Sequence, residues 1–227
     1  MTKVARILLP AVLPLVMICS AAAQSPAGLW RYKSPAADVE GIALSKFGRT
    51  MLNMMISSSV KKEIGHELDS VGIDKKSFSL DLARNGLFDM HTANGFVKGT
   101  YGYDAKGSML TLSVAESLSA AGRAAIDGSK MTLLFSMEQF SEFMIILSLA
   151  EYRGNITESV MTEVRAMQEE SAAELREMDE SLKKFREEMQ KGVDEKKAKN
   201  EISEEDARKA VEMFANMNIV VGIELSR

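Results

Sequence analysis

Apolar and polar side chains alternate in short stretches from one end of the chain to the other. Gly28-Leu29-Trp30-Arg31-Tyr32 is the first and Ile219-Val220-Val221-Gly222-Ile223-Glu224-Leu225 the last, with the others between Ser77 and Ser136. Alternation of this kind puts successive side chains on opposite faces of a strand. Two terminal strands so far apart in sequence are both edges unless they pair with each other, and such pairing closes a sheet into a barrel. The pattern therefore predicts a closed antiparallel sheet with the Trp30 strand beside the 219–225 strand.

The middle of the chain reads as a run of strands separated by turn residues. Phe78, Leu80 and Leu82 share one face, with Ser77, Ser79 and Asp81 opposite. Asn85-Gly86 supplies a tight turn in which both central residues take positive φ. Phe88 and Met90 then point inward, and Asp89 and His91 outward. Asn94-Gly95 turns into residues 96–103, where Val97, Gly99, Tyr101 and Tyr103 share a face. Asp104 to Ser108 is a loop, followed by Met109 to Val114 with Leu110, Leu112 and Val114 inward. Arg123 to Ile126 is an Ala-rich strand candidate, and Met131, Leu133 and Phe135 mark the strand after Asp127-Gly128. Glycines 95, 99 and 102 suit the bends of a barrel wall.

Helical spacing takes over elsewhere. Ser34-Pro35 is expected to end the first strand, with residues 37–71 helical. There Leu44, Phe47, Met51, Met54, Met55, Val60, Ile64 and Leu68 recur every three or four positions. Gly48 and Gly65 favour two helices with a bend, and Gly72 a stop. Residues 137–152 form a strongly apolar helix, and 156–199 one or two charged helices projecting from the barrel. Leu175, Met178, Leu182, Phe185 and Met189 follow the three-four alternation of a coiled coil. Residues 156–217 carry 17 acidic and 11 basic side chains, too many to bury. Their apolar stripe needs cover from Met213 and Phe214 or from a second chain. The fold class expected is α+β: an antiparallel barrel with a helical segment after its first strand and a long helical insertion, at about 137–217, before its last.

The first 23 residues have the make-up of an export signal: Lys3 and Arg6, an apolar run from Ile7 to Ile18, and Ala21-Ala22-Ala23 for cleavage. Pro10 and Pro14 interrupt a run already short for a membrane span. Cys19, the only cysteine, follows Val16-Met17-Ile18, and the bulky Ile18 fits a lipid-attachment box poorly. The expectation is a periplasmic or secreted mature chain of one domain, residues 24–227, without disulfides, a lipid anchor or a transmembrane segment. About 200 residues then remain, enough for one sizeable core. A net charge of -4 with no basic tract offers no footprint for nucleic acid.

Gly28-x-Trp30 resembles the Gly-x-Trp opening of lipocalins and their calycin relatives. The longer phrase from Ala27 to Ala36, AGLWRYKSPA, is similar to that of an uncharacterised family of exported bacterial lipocalin-like proteins. That family likewise has a helical segment after its first strand, an Asn-Gly-type hairpin in mid-chain and a Gly-containing last strand. The resemblance covers residues 25–150 and 216–227 and departs at 156–216, where a longer helical connection stands. It implies a barrel and brings no established activity with it.

Catalytic and metal-binding patterns do not emerge. The two histidines, His66 and His91, have no metal-pair spacing. Asp81 and Asp89 can face each other across a hairpin, but their phase puts them on the polar outer face. No catalytic residue, metal or cofactor is assigned. The candidate site is the barrel interior, Trp30, Phe78, Leu80, Phe88, Met90, Tyr101, Leu112 and Phe135, with Met51, Met54 and Met55 of the first helix as its cap. A small barrel either fills its interior with side chains or keeps room for one ligand. Two functions follow: a binding module for a small apolar or amphipathic molecule, or a filled barrel that presents the helical segment around Leu175–Met189 to a protein partner or a second copy. The resemblance to lipocalins favours the first, without catalysis.

Overall fold

The computed structural model describes residues 25–40, 60–199, 203–205, 208, 211 and 218–227. Eight strands form the sheet: β1 (Gly28–Glu40), β2 (Ser79–Leu82), β3 (Leu87–Thr92), β4 (Gly95–Asp104), β5 (Met109–Ala115), β6 (Leu118–Asp127), β7 (Lys130–Phe135) and β8 (Asn218–Ser226). Each is antiparallel to its neighbours, and β1 closes the barrel by pairing with β8 from Arg31/Ser226 to Glu40/Asn218. The terminal strands thus satisfy each other's backbone groups, as the alternation predicted.

β1 differs from expectation. It does not stop at Ser34-Pro35, and Ala37–Glu40 is strand rather than helix. A bulge between Tyr32 and Ser34 absorbs one residue and flips the phase. Trp30 and Tyr32 point into the main core, whereas Ala36 joins Leu134 and Val220 in a small outer cluster. Pro35 is tolerated because β2 pairs with β1 only from Gly28/Leu82 to Arg31/Ser79. Beyond that point β1 pairs, among the described residues, with β8 alone, and on its other side a missing N–H costs no ladder bond. Ser34 Oγ, just past the bulge, donates to Glu224 Oε2 at 2.8 Å and ties the two terminal strands together.

The turns also differ in detail. Asn85 keeps negative φ and Gly86 alone is left-handed, at +81°. The connection is the four-residue loop 83–86, closed by the Gly86 N–H donating to the Ala83 carbonyl at 3.1 Å. β6 is a full ten-residue strand, longer than the weak Ala-rich candidate. Its small side chains leave room for aromatic neighbours: a Cβ at Gly122 would lie 2.7 Å from the Phe135 ring. Gly99, paired with Phe88, has the same relation to that ring, at 2.7 Å.

Three helical elements cover one end of the barrel. Residues 60–70, here α1, bury Ile64 and Leu68. α1 ends where Gly72 takes φ +80° and the Ile73 N–H donates to the Leu68 carbonyl at 2.9 Å, the stop predicted at that glycine. α2 (Met137–Ser148) starts on Ser136, whose Oγ accepts from the Gln139 N–H, and runs into a 3-10 turn, Leu149–Tyr152. α3 (Glu158–Ala198) is one helix of 41 residues, about 60 Å long at 1.5 Å per residue. Val160 and Val164 are buried in the core cluster, and Ser171 Oγ meets Ser141 Oγ of α2. The side chains of Met178, Leu182, Phe185 and Met189 lie outside the described residues, as do Met213, Phe214 and the expected export signal. Among the described residues no helix is long and apolar enough to cross a membrane.

Candidate functional site: the barrel interior and its two ends

The closed end is built on Trp30. Its Nε1 donates to the Pro26 carbonyl at 2.7 Å, and the Arg227 guanidinium stands 4.2 Å over its ring. Arg227 Nη2 also donates to the carbonyls of Ser25 and Ala27, both at 3.0 Å, and its backbone N–H to Ser129. One arginine thereby holds the start of β1, the end of β8 and the β6–β7 turn. The cation lies over the indole face with its Nη2 bonded to two carbonyls, and Trp30 beneath it is fully buried with its own N–H satisfied.

The opposite end is covered by helix. β6 outruns β7 there, since their pairing begins only at Arg123/Leu134. α2 fills the step: Gln139 Oε1 accepts from the Ala121 N–H at 2.7 Å. Phe143 stacks on the Phe135 ring at 4.7 Å and 21°. The 3-10 turn continues across to β4, where a Cβ at Gly95 would overlap the Ala150 carbonyl oxygen. Tyr152 donates to Glu163 Oε2 at 2.6 Å, which fastens α3 to the turn and pushes the phenol up to about 12.

The structure brings most of the sequence candidates together in the main core cluster. Trp30, Leu80, Met90 and Leu112 are 0 % exposed, Phe78 and Phe135 1 %, and Phe88 2 %. A side chain lining a void able to hold water would keep some exposed surface, so these residues pack against one another. Tyr101 is half-buried on the same cluster, and its hydroxyl donates to the Ala83 carbonyl at 2.9 Å. Burial raises that phenol above its ordinary value. Met51, Met54 and Met55 lie outside the described residues.

Tyr32 was missed, although its signal was present two positions after Trp30 on the same strand face. It packs edge-on against Phe78, with ring centroids 6.3 Å apart. It stands where β1 parts from β2. Past Arg31/Ser79, among the described residues, α1 stands beside β1 with Gly65 set against Pro35: a Cβ there would be 3.6 Å from Pro35 Cγ. The far end of α1 is pinned by the Ala93 N–H donating to the Gly72 carbonyl at 2.8 Å. Burial first, then the carboxylate of Asp69 on α1, pushes the Tyr32 phenol up to about 12.

On the outer face, Asp81 pairs in register with Asp89. Asp89 Oδ2 lies 3.1 Å from Lys98 Nζ, and Oδ1 lies 3.1 Å from His91 Nε2. The His91 contact is close but misaligned, since Oδ1 has no hydrogen-bond partner. Among the described residues no group of three or more His, Cys, Asp or Glu is placed to hold a metal ion. His66 and His91 are exposed.

A family model described as a lipocalin-like domain (DUF4923) matches residues 12–164. That span takes in β1 to β7, α2 and the first turns of α3, and leaves out β8. No curated protein and no solved structure matches the chain.

Proposed function

The chain belongs to the lipocalin-like family, and from that premise we propose that it is an exported binding module for a small apolar or amphipathic molecule, working without catalysis. The observation that carries this reading is the uneven wall of the barrel. All eight seams are strand ladders, but β1 runs on from Tyr32 to Glu40 past its last pairing with β2 at Arg31/Ser79, and α1 stands against that stretch at Pro35. An apolar guest can reach the interior there by displacing a helix, with no ladder broken. The tight packing around Leu80 and Met90 means that a guest enters by moving the helical cover, a coupling of binding to a local opening. Export rests on the charge, apolar run and small-residue site of residues 1–23.

Trp30 is the only tryptophan, so its emission reports on the interior. Titration with a series of fatty-chain and sterol-like probes at micromolar concentration should give a saturable change in that emission. A flat response across the series would count against the reading.

A second reading is favoured by α3. It meets α2 at Ser141–Ser171, and the helix runs on to Ala198. In this reading the barrel is a filled support, and the segment around Leu175–Met189 meets a protein partner or a second copy of the chain.

A further inference from the structure

We draw no further inference here: the strongest candidate, the exposed apolar side chains Leu29, Leu87 and Met109 at the hairpin end of the barrel, stands among exposed charges of both signs, Arg84, Lys106 and Lys130 with Asp81, Asp104 and Asp127, and nothing in the structure shows what covers it.

Discussion

Deletion of residues 219–227 is expected to abolish cooperative unfolding. β8 carries two ladders, to β1 and to β7, so its loss opens the barrel and leaves two new edges. Val220, Val221, Ile223 and Leu225 go with it, all buried. At about 1.5–3 kcal/mol for each buried aliphatic side chain, the loss is roughly 6–12 kcal/mol. That compares with a total stability on the order of 5–15 kcal/mol for a domain. Arg227 also leaves the face of Trp30 and the carbonyls of Ser25 and Ala27. Circular dichroism through a thermal ramp should show no sigmoidal transition. A normal transition in the truncated chain would mean that β1 and β8 do not close the sheet.

Phe143→Ala is expected to be the most damaging single change in the helical cover. Phe143 is fully buried, stacks on Phe135 and touches Phe140 with ring centroids 6.4 Å apart. Truncating such a ring costs about 3–5 kcal/mol through lost transfer energy and the cavity left behind. The void would open under α2, at the step where β6 outruns β7. Guanidinium unfolding should move to a lower midpoint with an unchanged slope. A shift worth under 1 kcal/mol would mean that α2 is not seated on the barrel.

How far these features were legible in the sequence depends on the physics behind each. Period-two alternation is a local signal, and it placed Phe78, Phe88, Met90, Leu112 and Phe135 on the inner face, where burial puts them. The β1–β8 closure was also within reach, since two unpaired terminal strands have one economical solution. Ala37–Glu40 was misread because Ser34-Pro35 is a sound breaker signal in isolation. Whether proline breaks a strand depends on which edge has a neighbour, and that is set by where β2 begins, some forty residues later. The bulge at Tyr32 then reversed the side-chain phase, which no periodicity count crosses intact. β6 was underrated because Ala120, Gly122 and Ala124 are small for reasons on other strands: the Phe135 ring needs the space over Gly122.

The candidate site was legible as a set of inward residues and illegible as a function. Alternation tells which side chains face inward, not whether they meet or leave a gap. Tyr32 was within reach as an inward residue two positions after Trp30, but its place beside the end of the β1–β2 pairing is a tertiary fact with no local signature. The Arg227–Trp30 contact joins residues at the two ends of the described chain, and only barrel closure brings them within 4.2 Å. The long helix was predicted from charge and spacing because both persist through residues 156–199, and α3 follows them as a single element.

The central claim, that this barrel carries a small guest, is tested most directly by native mass spectrometry of the protein purified gently from its own host. The account predicts a population heavier than the polypeptide by the mass of one small molecule, which separates on denaturation and extracts into organic solvent. A bare polypeptide mass, or a complex containing only a second protein chain, would contradict it and leave the filled barrel with its projecting helix as the working structure.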